Sequence, residues 1–228
     1  VSLLKNLLFH ACVLQEKETV PEQVVAVDGG GITLKSSDSD KEKLFKFVEL
    51  LLEYNEKYNL ISKNTEHKIW SRHILDSAQL IKYIDVQSNG VLADLGSGAG
   101  FPGLVISILN KNPMFHVKLY EKSPVKRDFL NKVKKNLDIN FKLEDNVYEG
   151  EIDADYIVCR AFKKLGEIIK ISREISKKPH KIIILKGKKA QDELNNISLD
   201  KNYSYKLVKS ITDIDSKIII FDVKVNEK

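Results

Sequence analysis

The run Ala93-Asp94-Leu95-Gly96-Ser97-Gly98-Ala99-Gly100-Phe101-Pro102-Gly103 constrains this chain more than any other segment. It joins an apolar stretch at residues 91–95 to a helix-compatible one at residues 104–111. A strand that enters a turn with glycine at alternate positions and then a helix brings backbone N–H groups close to a ligand at the carboxyl edge of a sheet. Such a unit needs further strands and covering helices. Apolar runs at residues 117–121, 156–160 and 182–186, with a lesser one at 140–143, alternate with amphipathic stretches near 124–137, 164–175 and 190–194. This alternation predicts an α/β fold with a mostly parallel sheet covered on both faces. Residues 203–208 and 218–225, with only 212–216 as turn material between them, predict an antiparallel hairpin at the sheet edge.

Upstream, Leu44, Phe47, Val48, Leu51 and Leu52 keep the i, i+3, i+4, i+7, i+8 spacing of an amphipathic helix running from Lys41 to about Tyr58, with Ser39 or Asp40 as N-cap. Shorter helical stretches at residues 66–72 and 76–84 complete an N-terminal helical element, which Ser88-Asn89-Gly90 ends. The expected organisation is therefore an unassigned segment at 1–38, a helical element at 39–87 and a main domain at 88–228. Within the first segment Val24-Val25-Ala26-Val27 and Asp28-Gly29-Gly30-Gly31 suggest a short strand and a turn. The segment lacks an initiator Met and is assigned no function.

Composition narrows the class. With 43% hydrophobic and 30% charged residues, the 228-residue chain is expected to be soluble and globular. Cys12 and Cys159 are its only cysteines, too few for a disulfide framework or a four-cysteine zinc site, and the expected compartment is the reducing cytoplasm. The charge-free stretch at 95–110 is too short to span a membrane and carries four glycines and a proline. Residues 1–40 hold three Lys and six Asp or Glu, a net −3, so residues 41–228 carry +8 against an overall +5. Only Arg72, Arg127, Arg160 and Arg173 are arginine, against 33 lysines, which marks positions where a planar fork is needed.

The glycine run satisfies two patterns. Gly98-Ala99-Gly100-Phe101-Pro102-Gly103 fits the G-x-G-x-x-G of dinucleotide binding, a weak signal by itself. Asp94, Gly96, Gly98 and Gly100 fit the acidic, alternating-glycine loop of S-adenosylmethionine-dependent methyltransferases. The acid before the glycines, Pro102 inside the turn and the terminal hairpin favour the second. An acid beside the loop suits a cationic sulfonium better than a pyrophosphate. Glu121, at the end of the next strand, is placed to accept both ribose hydroxyls of an adenosine, as NAD would also require.

Several motifs together resemble the bacterial RsmG/GidB 16S ribosomal RNA (guanine-N7)-methyltransferases. They are Tyr58-Asn59-Leu60-Ile61-Ser62, Arg72-His73-Ile74-Leu75-Asp76-Ser77, the loop from Asp94 to Gly103, Glu121, Lys126-Arg127-x-Phe129-Leu130, Arg160-Ala161-Phe162 and Leu185-Lys186-Gly187, in family order across residues 40–225. The resemblance implies a Rossmann-like class I methyltransferase with S-adenosylmethionine as donor and 16S ribosomal RNA or the small ribosomal subunit as partner. No membrane, DNA or metal is expected. It implies that Gly96 and Phe101 line the donor site, that Arg160 approaches it from a later strand, and that Asn146-Val147-Tyr148 is the adenine-side segment, with Tyr148 where an acid is usual.

Expected donor contacts are thus Asp94, Gly96, Gly98, Gly100, Phe101, Glu121, Val147, Tyr148 and Arg160. No general base is expected, because guanine N7 already carries a free lone pair and methyl transfer to it needs placement rather than deprotonation. Residues 160–189 carry eleven Lys or Arg against Glu167 and Glu174, and residues 122–142 add seven more, a charge pattern that suits RNA phosphates or merely solvated helix faces. Arg72, His73, Arg127, Lys186 and Lys188 are the expected RNA contacts. A small-molecule methyltransferase, a non-catalytic RNA-binding module with a vestigial donor loop, and a dehydrogenase remain rival readings. Cys159 reads as a buried strand residue.

Overall fold

The computed structural model describes residues 37–148 and 152–225. The expected strand and turn at 24–31, and Cys12, lie outside the described residues. Seven strands form one sheet: β1 (Val91–Leu95), β2 (His116–Tyr120), β3 (Lys142–Glu144), β4 (Tyr156–Arg160), β5 (His180–Lys186), β6 (Tyr203–Lys209) and β7 (Lys217–Val223), in the order β3-β2-β1-β4-β5-β7-β6. The first five run parallel, whereas β7 pairs antiparallel with both β5 and β6. This is the Rossmann-like sheet with a terminal hairpin that the pattern predicts. The strand order reverses between β1 and β4, so a crevice opens at their carboxyl ends.

Helices α1 (Asp38–Tyr58), α2 (Lys63–Glu66), α3 (Asp76–Ala78), α4 (Gly103–Leu109), α5 (Pro124–Leu137), α6 (Leu165–Ile175) and α7 (Ala190–Asn195) cover the sheet. Alternate strand residues serve two cores. Leu92, Val117, Leu119, Val158 and Ile183 pack with α1, α4 and α5, while Ala93, Ile157, Cys159, Ile182 and Ile184 pack with α6 and α7. From α1, Leu44, Phe47, Val48 and Leu51 lie in the first core beside Leu104, Phe129 and Leu130, so the helical element shares its interior with the sheet.

Two local expectations are corrected. The N-cap of α1 is Ser37, not Ser39 or Asp40: the Ser37 hydroxyl accepts from the Asp40 N–H, and the Asp40 carboxylate accepts from the Ser37 N–H, a reciprocal capping box. The stretches at 66–72 and 76–84 are not two regular helices. Between α2 and α3 lies a widened π-helical turn, Trp70–Leu75, and after α3 a tighter 3-10 turn, Gln79–Tyr83. Side chains engage the carbonyls of this stretch from afar and from close by: the Arg72 carbonyl accepts from the Arg160 guanidinium (2.8 Å), and the His73 carbonyl from the Ser77 hydroxyl four residues on (2.6 Å).

Candidate active site

At the end of β1, the Gly96 and Ser97 N–H groups donate to the Tyr120 carbonyl (2.9 and 3.0 Å), fastening the glycine loop to β2. Gly96, Gly98 and Gly100 all have positive φ (72°, 58° and 103°), which explains their alternation. Beneath the loop lies Asp94, fully buried. Its Oδ2 accepts from the Gly103 N–H (2.9 Å) at the start of α4, and its Oδ1 has no partner. The side chain therefore stands under the loop and outside the cleft described next.

The cleft has a volume of about 330 Å³ and is lined by Gly96, Tyr120, Glu121, Lys122, Lys126, Asp145, Val147, Tyr148, Ala161, Phe162 and Lys163. Four of the nine expected donor contacts, Gly96, Glu121, Val147 and Tyr148, meet here. Glu121 is held still, since Oε2 accepts from the Gly98 N–H (2.8 Å) and Oε1 from the Ser123 N–H (2.7 Å). Each carboxylate oxygen keeps a free lone pair for a further donor. Phe162, Lys126 and Asp145 are cleft residues that reading by motif passed over. The first two sit inside quoted motifs of which only the arginine was singled out, and Asp145 directly precedes the adenine-side segment.

Of the other expected contacts, Gly98 reaches the cleft wall through its bond to Glu121, while Phe101 and Arg160 lie together outside the lining. Arg160, at the end of β4, donates to the Arg72 carbonyl and to His73 Nδ1 (2.7 Å), lies 4.9 Å over the Phe101 ring and faces Asp76 Oδ2 at 3.8 Å. A guanidinium only donates, so His73 Nδ1 is the acceptor and Nε2 carries the hydrogen given to Thr65 Oγ1 (2.9 Å). Asp76 Oδ1 accepts from Gln79 Nε2 (2.8 Å) and from the Thr212 hydroxyl (2.7 Å), and Arg72 pairs with Asp213. The turn at 72–76 is thus fastened to the loop between β6 and β7, with Arg160 held between them and the sheet.

The expected RNA contacts all have protein partners. His73 is buried, and burial, then the charges of Arg160 and Arg72, hold its pKa down at about 3, so it is neutral at physiological pH. Lys186 donates to both Glu193 oxygens (2.8 and 3.0 Å) and to the Lys163 carbonyl (2.9 Å), Lys188 pairs with Asp215 at 2.8 Å, and Arg127 lies 3.5 Å from Asp145. His73 and Lys186 therefore face inward, not toward a solvent-borne polyanion.

Burial pushes the Asp94 carboxyl up to about 7, while Gly103, Ser97 and Arg160 oppose it. An acid whose folded pKa exceeds its unfolded value makes ionisation unfavourable to folding. The penalty is absent below about pH 4, grows from there to pH 7 and is complete above it, reaching about 4 kcal/mol at roughly 1.4 kcal/mol per pH unit. Asp94→Asn removes it. Measured by denaturant unfolding, the stability difference between variant and wild type moves in the variant's favour by several kcal/mol from pH 4 to pH 8. A difference constant with pH overturns the assignment of this pKa.

Solved structures confirm the fold at low identity. A SAM dependent methyltransferase from Aquifex aeolicus superimposes with a TM-score of 0.56 at 16% identity, covering 69% of this chain and 93% of that one. A precorrin-6y C5,15-methyltransferase from Geobacter metallireducens gives 0.50 at 19%, covering 73% and 92%. Sequence relatives are closer. Proteins named Ribosomal RNA small subunit methyltransferase G are 37% identical over 195 residues in Pelagibacter ubique (82% of this chain, 91% of the relative) and 39% identical over 179 residues in Rickettsia felis (78% and 91%). The model of the GidB family, rRNA small subunit methyltransferase G, matches residues 40–219, a span that holds the glycine loop, Glu121 and the Arg160 cluster, and the chain belongs to that family.

Proposed function

We propose that the protein transfers the methyl group of S-adenosylmethionine to guanine N7 in 16S ribosomal RNA of the small subunit. The observation that carries this reading is the glycine loop at the switch point, opening on a cleft whose wall is the backbone-anchored Glu121. The cleft fits the donor. Its volume suits a small molecule, Glu121 retains acceptor capacity for ribose hydroxyls, and the wall at Val147 and Tyr148 offers an apolar side chain and an aromatic ring to a purine. When bound there, the donor supplies an electrophilic methyl group on a cationic sulfur.

The chain's own residues orient and exclude. Phe162 and Gly96 shape the inner wall, and the Arg160 fork lies against Phe101 behind the loop. His73 is neutral, with Nδ1 accepting from Arg160 and Nε2 donating to Thr65, so it offers no base, and Glu121, anchored by two backbone N–H groups, is placed for the ribose hydroxyls. A nucleophile that already carries its lone pair, such as guanine N7, fits this arrangement, and placement alone accounts for the chemistry.

A methylated N7 leaves a fixed cationic purine. After borohydride reduction, aniline should cut small-subunit ribosomal RNA at a single site in the decoding-centre loop in RNA treated with the protein and donor. Methyl groups recovered on an amino nitrogen or a pyrimidine carbon would refute this reading.

A further inference from the structure

Of the cations that motifs single out for RNA, Arg72 and Lys186 are held by Asp213 and Glu193 and none lines the donor cleft, whose mouth carries others. Lys122, Lys126 and Lys163 line the donor cleft. Among the described residues, neither Lys122 nor Lys126 has a carboxylate within ion-pair distance, and Lys163 has only the exposed Glu167 at 3.4 Å. An exposed pair of that kind holds its lysine weakly. The Lys122 ammonium stands 5.8 Å over the Tyr148 ring, which keeps it at the mouth, and Lys126 lies on the first turn of α5.

Charge makes this placement informative. The proposed donor carries a net positive charge, so two or three unpaired ammonium groups around its cleft oppose its entry unless an anion binds beside it. Glu121 and Asp145 supply two carboxylates to the lining, and Asp145 also faces Arg127, so a surplus of positive charge remains beside the donor. Resting on the reading above, we propose that Lys122 and Lys126, with Lys163 on the facing wall, hold backbone phosphates of the RNA strand next to the target base. Donor and RNA then meet in one cleft with their charges compensated, and donor retention is favoured by the substrate. Arg72, Lys186 and Lys188 lie outside the cleft lining and leave the phosphate contact there to these lysines.

The test compares the full chain with Lys122→Gln/Lys126→Gln. Lys201→Gln serves as control, because it precedes β6 at the end of the sheet where Tyr203 pairs with Val223 and Val223 with His180, opposite the cleft. Binding of in-vitro-transcribed 16S ribosomal RNA is followed against salt, and S-adenosylhomocysteine binding by calorimetry. The double variant should bind RNA about tenfold more weakly near physiological salt, and its log–log salt slope should be shallower by about 1.4 to 1.8, at roughly 0.7–0.9 per lost phosphate contact. Its affinity for S-adenosylhomocysteine, which these lysines also border, should change much less than its affinity for RNA, and the control should match wild type throughout. Wild-type RNA binding with an unchanged slope in the double variant overturns this inference alone. Weaker S-adenosylhomocysteine binding with RNA binding intact also overturns it, since the lysines would then serve the donor. A wild-type chain that binds no RNA overturns the underlying reading and the inference with it.

Discussion

Gly96→Val abolishes measurable S-adenosylmethionine binding in calorimetry while the far-ultraviolet circular dichroism stays that of the wild type. Two features of position 96 combine. Its φ of +72° is disfavoured for any residue with a Cβ and most of all for a β-branched one. A Cβ there would also stand 2.4 Å from Cδ2 of Phe162, far inside contact distance. Either the loop withdraws from Tyr120, or the Phe162 ring swings away, and since Phe162 lines the cleft both movements alter the donor site. The stability cost is that of local overpacking, about 1–3 kcal/mol. Wild-type affinity in this variant would show that the donor does not lie along the loop.

Arg160→Lys is the second large effect. Lysine keeps the charge and loses the fork that serves the Arg72 carbonyl and His73 Nδ1 together while lying flat on Phe101. One ammonium can replace only one of those bonds. With charged hydrogen bonds contributing about 1.5–3 kcal/mol each, unfolding stability should fall by about 2–3 kcal/mol. Methyl transfer should slow at least tenfold, because the turn carrying Arg72 and His73 loses its tie to β4. Equal stability and equal turnover would mean the cluster is incidental to both.

The parallel strands, the loop and the terminal hairpin were legible because each is written locally, in period-2 apolar runs and in glycines that must take positive φ. The site was legible in part, for a different reason. Motif reading finds residue types, but it does not see which way they face. Asp94 and Glu121 read alike as acids near a glycine loop. Pleat direction and the Gly103 N–H turn the first under the loop, while the Gly98 and Ser123 N–H groups fix the second in the cleft wall. Lysines behave likewise. Lys186 was conspicuous beside Gly187 yet is tied to Glu193, and Lys122, which closes no conspicuous motif, lines the cleft. The widened turn at 70–75, which overlaps the end of the helical stretch expected at 66–72, was not legible, because its partner Arg160 lies 87 and 88 residues away.

The clasp between the 72–76 turn and the 210–216 loop has a consequence in time. Arg72 and Asp213 are 141 residues apart, Asp76 and Thr212 136, and such distant contacts form late because a long loop must close first. During synthesis, β1 to β5, the glycine loop and Arg160 emerge well before β7, the strand that must insert beside β5 and complete the sheet. Until it does, nothing secures Arg72 or Asp76 from that side. Competence for methyl transfer is therefore gained only after β7 has been made, so that a chain interrupted before it, although it holds the donor motif, is not yet a working enzyme.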